Sequence, residues 1–128
     1  MPISSIDLLN LAQRLMAENP SSECLLRASI GRAYYAVYHE AQSTADVLGL
    51  SHQKTSSGVH EQLISRYEAS GKRLKVIANR LATAKMYRVE ADYKINHMVS
   101  VADARKHLAS CQSIVGELTK LQASCTGT

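Results

Sequence analysis

The stretch "LLRASIGRAYYAVYHEAQ", residues 25–42, sets Arg32 and His39 seven residues apart with Tyr34, Tyr35 and Tyr38 between them. Imidazole titrates near neutrality and can give or take a proton. A guanidinium offers a fixed fork of donors to phosphate oxygens. Side by side, the two suit proton transfer next to a bound anion. On a helix advancing 100° per residue, His39 falls about 20° from Arg32, and Ala28, Tyr35, Ala36 and Ser43 fall within roughly 60° of it. Leu26, Ile30, Ala33, Val37, Ala41 and Leu48 lie about 100–180° away and make a core face. A solvated face is the plain reading of the Arg–Tyr–Ala–His–Ser stripe. It is, however, short of Lys and Glu, and Tyr35 beside two small alanines suits a close interface.

Arg32 and His39 are about 10 Å apart along the helix axis, and a helical arginine leans toward the N-terminus, away from His39. One chain brings them together poorly. A second copy docked antiparallel about a two-fold axis near Tyr35 and Ala36 would set each Arg32 opposite the other copy's His39, as an isologous contact requires. A homodimer through this helix is therefore expected.

The elements that position the stripe all read as helices. No segment alternates apolar and polar residues for long, so no strand is expected. The first helix spans residues 5–17, with Ile6, Leu8, Leu9, Ala12, Leu15 and Met16 as its apolar face. "AENPSS" ends it, and Ser21 or Ser22 can cap the second helix, residues 22–48, which stops at Gly49. Residues 49–58 read as a loop. A third helix covers residues 59–69 and packs Val59, Leu63, Ile64 and Tyr67. A fourth runs over residues 73–93 with Leu74, Ile77, Ala78, Leu81 and Ala84 inward. The fifth starts at Ser100, with Asp103 three residues on as a capping signal, and lines Val101, Ala104, Leu108, Cys111, Val115 and Leu118 on its core face. Residues 121–128, ending "ASCTGT", read as a frayed tail. The expectation is one all-α domain over residues 1–128, an antiparallel bundle of about five helices.

Composition narrows the chemistry. Net charge is +4, from 15 Lys and Arg against 11 Asp and Glu, which permits a nucleic-acid partner without demanding one. Three widely spaced cysteines form no CxxC pair, so no metal site is expected, and with no signal peptide they point to a reducing cytoplasm. No apolar run reaches the length of a membrane span. No glycine-rich phosphate loop and no carboxylate pair set for glycosidase-like work occurs. His52, His97 and His107 have no partners at metal-ligand spacing, and no cofactor is expected. Arg27, about 140° from Arg32, pairs locally or spreads over the surface. His60, near a helix start, reads as an exposed residue that a phosphate could meet. Lys72, Arg73 and Lys75 read as a solvated basic face.

"RASIGRAYYAVYHEA" resembles the signature helix of the HEPN superfamily, particularly its compact single-domain bacterial and archaeal members. "SSGVHEQLISRY" and "YRVEADYKIN" follow in the same order as in those proteins, so the likeness covers roughly residues 5–120. It implies an all-α bundle that dimerises through the motif helix. It further implies a metal-independent endoribonuclease, acting as a toxin or defence effector, with Arg32 on the scissile phosphate and His39 as general acid/base in a composite dimer site. Tyr35 would stack on a base or hold the phosphate. Arg88 and Asp92, four residues apart, can pair on one helix face, and the resemblance puts them and Tyr93 beside the motif helix as further substrate-binding residues. A nucleotidyltransferase-type antitoxin is an implied partner. The alternative is a catalytically degenerate module that binds nucleotide or RNA and partners a nucleotidyltransferase. Ala33, where active relatives often carry a polar residue, favours that alternative.

Overall fold

A computed structural model of the chain describes residues 3–52 and 58–126. It is an all-α bundle of five helices: α1 (Ser5–Glu18), α2 (Glu23–Leu48), α3 (Val59–Glu68), α4 (Lys72–Tyr93) and α5 (Val101–Thr126). Capping sets most of the boundaries. Ser4 and Asp7 close a reciprocal capping box at the start of α1. The Ser22 hydroxyl accepts from Leu25 N–H and starts α2. Gly49 ends that helix in the left-handed region at φ 67°, its N–H turned back to the Ala45 and Asp46 carbonyls. The Ser100 hydroxyl accepts from Asp103 N–H, as the capping signal suggested. Within the expected 49–58 loop, residues 53–57 lie outside the described residues.

Helix α2 packs against all four other helices. Its buried side chains Leu26, Ile30, Ala33, Tyr34, Val37 and Ala41 meet Leu9, Ala12 and Met16 of α1 and Leu108, Cys111, Val115 and Leu118 of α5 in one continuous core. Polar bonds fasten the neighbours to it. Ser29 Oγ donates to the Ala12 carbonyl at 2.7 Å, and Tyr67 Oη donates to the Ala41 carbonyl at 2.6 Å. Arg66, buried, donates to the Leu50 carbonyl and to Asp46, which ties α3 to the end of α2.

Arg27 does more than pair locally. Beyond its ion pair with Glu23, its guanidinium donates to the carbonyls of Glu90 and Ala91 at 3.2 and 2.9 Å, and to those of Lys94 and His97. The last carbonyls of a helix have no intrahelical partner, and Arg27 supplies one for the end of α4.

Some expectations fail in instructive ways. Ile6 and Val59, placed inward by periodicity, are 55 % and 59 % exposed; both sit in the first turn of their helix, where periodicity alone does not ensure a covering neighbour. The expected tail is helical to Thr126, and Leu121 belongs to the core, since α5 runs as long as α2 does. His107 is buried: its Nε2 donates to the Ile30 carbonyl at 3.1 Å, and its ring lies 5.5 Å from that of Tyr87.

Two outcomes are expected. Arg27→Ala removes the side-chain donors from the carbonyls at the end of α4 and should cost about 2–3 kcal/mol in urea unfolding, a charged-donor loss at a mostly buried position. Burial holds the His107 imidazole below the usual histidine range. The unfolded chain takes up that proton from about pH 6.5 downward and the folded chain resists it, so stability falls on acidification through this range. The urea midpoint of the wild type should drop between about pH 7.5 and about pH 5.5. His107→Gln, which keeps a donor for the Ile30 carbonyl, should drop less.

Candidate functional site

Helix α2 is unbroken from Glu23 to Leu48, so Arg32 and His39 keep their helical relation, two turns apart on one side. Both are exposed, while Ala33 between them is buried. They line a cleft of about 620 Å³ together with Tyr35 and Ser43 of the same stripe. The opposite wall comes from the start of α1, with Ile3, Ser4, Ser5 and Leu8. Glu40 also reaches this cleft, its carboxylate held by Gln122 of α5. Among the described residues, no hydrogen bond or ion pair reaches the Arg32 guanidinium or either nitrogen of His39. Its aromatic neighbours among the described residues are Tyr38 and Tyr35, at centroid distances of 5.3 and 6.2 Å.

Ala36, expected on the open stripe, is wholly buried. A methyl group between the longer Tyr35, His39 and Glu40 side chains, with α1 alongside, is out of reach of water. The surface that a second copy could meet is therefore Arg32, Tyr35 and His39, without Ala36.

Arg88, Asp92 and Tyr93 stand beside the stripe. Arg88 Nη2 donates to the Tyr35 hydroxyl at 3.0 Å, and its guanidinium carbon lies 5.4–5.7 Å from the ring centres of Tyr34, Tyr35 and Tyr93. Arg88 Nε is 3.1 Å from Asp92 Oδ2, an ion pair by distance, yet it is buried and not aligned for a hydrogen bond. Asp92 Oδ1 lies 3.7 Å from where a Cβ on Gly31 would stand, so the end of α4 abuts the turn that carries Arg32. Tyr93 is 69 % exposed and leaves ring surface open to solvent.

His60 was expected to be exposed, and it belongs instead to the aromatic cluster. It is half-buried, its Nδ1 is 2.7 Å from the Tyr34 hydroxyl, and its ring packs 4.7–6.2 Å from those of Tyr34, Tyr35 and Tyr38. Burial, with Arg88 and Lys85 nearby, holds its pKa below the usual histidine range against the pull of Glu61. Burial likewise pushes the Tyr34 phenol up, so it keeps its proton. One signal in the sequence pointed this way: Tyr34 falls about 200° from Arg32, on the core side, and a buried tyrosine hydroxyl needs a polar partner. Nothing in the sequence named which one.

Lys72, Arg73 and Lys75 are exposed, as a solvated basic face would be. Among the described residues, no three His, Cys, Asp or Glu side chains come together in a way that could hold a metal ion. The three cysteines are free thiols. Among the described residues no helix is long and apolar enough to cross a membrane. Compared with models of known protein families the chain matches none, and a search of curated proteins finds no match either.

Proposed function

We propose that this chain is a metal-independent endoribonuclease of the HEPN type, acting in the cytoplasm as a toxin or defence effector, with Arg32 and His39 as its working pair. One observation carries the reading. The other arginines and histidines on or against α2, namely Arg27, Arg66, Arg88, His60 and His107, all have polar partners. Among the described residues Arg32 and His39 have none, and they open into one cleft. Leaving two such groups unpaired on a shared strip gives no packing benefit, and a phosphodiester would use both.

In this reading the Arg32 fork takes the non-bridging phosphate oxygens and favours the charge that develops on them. His39 accepts the proton of the 2′-hydroxyl as that oxygen bonds to phosphorus. The phosphorus–5′-oxygen bond breaks, and an imidazolium returns a proton to the departing oxygen. One imidazole cannot do both in a single step. Two copies docked antiparallel along α2 supply the second, each Arg32 facing the other copy's His39. The excess of basic residues favours RNA approach, with an affinity that falls as salt rises.

Ala33 favours a second reading. Buried in the core, it offers the cleft no polar group. A degenerate module that binds nucleotide or RNA, held by a nucleotidyltransferase partner, needs Arg32 and the tyrosines but no proton transfer.

Expression of wild type, Arg32→Ala and His39→Ala in a bacterium, followed by growth and RNA integrity, separates the two. The nuclease reading expects the wild type to stop growth and degrade RNA, and purified protein to cleave RNA in excess EDTA. His39→Ala should slow that cleavage by about 10²–10⁴ without loss of fold, its side chain being exposed. Intact RNA and normal growth with the wild type would leave only the binding module. A solution mass of one chain at micromolar concentration would remove the composite site.

A further inference from the structure

Tyr34 is 3 % exposed and keeps its phenolic proton. A buried hydroxyl proton needs an acceptor, and His60 Nδ1 at 2.7 Å is the one it has among the described residues. Tyr34 is therefore the donor in that bond. The imidazole is uncharged at neutral pH, with its Nδ1 lone pair occupied, so its single proton sits on Nε2. Among the described residues Nε2 has no partner, and it is not a buried unpaired atom, a description that fits only Arg88 Nε there. It opens to solvent as a donor with no acceptor capacity.

That donor stands across a tyrosine pair from the Arg32 and His39 strip. Tyr35 and Tyr38 each contact both imidazoles: their ring centres lie 6.2 and 4.7 Å from that of His60, and 6.2 and 5.3 Å from that of His39. Both tyrosines are only partly buried. Arg88, bonded to the Tyr35 hydroxyl, holds one of the rings in place. Unpaired bases stack on such rings and are told apart by hydrogen bonds at their edges.

We propose that Tyr35, Tyr38 and His60 form a subsite for one unpaired nucleobase beside the phosphate site, and that His60 Nε2–H faces the substituent at pyrimidine C4 or purine C6, selecting the carbonyl oxygen of uracil or guanine over the amino group of cytosine or adenine. The inference rests on the RNA reading above. Uracil presents O4 to a donor where cytosine presents an amino group, itself a donor. Two donors facing each other leave both unsatisfied, so the wrong base is opposed as well as unrewarded. His60 thus acts through recognition. With Nδ1 engaged and Nε2 protonated it has no free lone pair with which to take a proton.

The test measures equilibrium binding of labelled 2′-O-methyl uridine and cytidine hexamers, which lack the attacking hydroxyl, to the unaltered chain, to Tyr34→Phe and to His60→Ala. The unaltered chain should hold the uridine oligomer about tenfold more tightly. Tyr34→Phe keeps the ring and frees Nδ1, so the imidazole can present either nitrogen as donor or acceptor. Its preference should fall toward equality, as should that of His60→Ala. Equal binding by the unaltered chain, or a preference that both variants retain, would overturn the subsite. Discrimination by a chain that leaves RNA intact in cells would remove the nuclease reading alone. Cleavage without discrimination would remove the subsite alone, and failure to bind either oligomer would remove both.

Discussion

Helix α2 touches each of the other four helices, and that arrangement limits where the molecule can do chemistry. A helix surrounded in this way keeps only a narrow strip free. On α2 the strip runs through Arg32, Tyr35, His39 and Ser43, with the start of α1 on one side and the end of α4 and start of α3 on the other. Most of the apolar side chains on the helix turn inward, with Ala28 and Val47 left exposed, and Ala33 and Ala36 show how little side chain fits where neighbours come close. The strip is therefore what remains after packing, and its two charge-bearing groups stand on a rigid support.

Long-range polar bonds hold the surrounding helices at fixed positions around α2. Ser29 reaches α1, Tyr67 and Arg66 tie α3 to the second half of α2, and Arg27 closes the end of α4. Each bond joins a side chain to a backbone carbonyl, often where a helix ends and the carbonyl would otherwise lack a partner. A buried guanidinium without such acceptors would be costly. Arg27 and Arg66 have several each, and their charges are accounted for by structure. The Arg32 charge is not.

The periodicity of residues 25–48 made much of this legible in advance. The inward face of α2, the outward turn of Arg32 and His39, the capping serines and the Gly49 stop all follow from spacing and local backbone chemistry. The pairing of Arg88 with Asp92 followed from a separation of four residues. A wheel drawn for one helix could not say what lies beside it. Hence Ala36 was expected to be open, Ile6 and Val59 were expected to be covered, and α5 was expected to end before Leu121. His60 illustrates the same limit at the site. Its contact with Tyr34 crosses 26 residues and depends on how α3 leans on α2, which no local pattern encodes.

The three histidines near α2 show how packing divides one residue type among different tasks. His107 gives its proton to the Ile30 carbonyl inside the core, where burial keeps it neutral. His60 has one nitrogen held by Tyr34 and can only donate from the other. His39 has both nitrogens free of partners among the described residues, on a strip that water reaches. General acid/base work requires a nitrogen that can be protonated and deprotonated in contact with substrate, and His39 meets that requirement where the other two do not. The tyrosine cluster enforces the separation, because it occupies His60 with Tyr34 while giving His39 ring contacts alone. In the proposed reading, proton transfer and base recognition fall to two imidazoles that share a pair of aromatic neighbours and differ in one hydrogen bond.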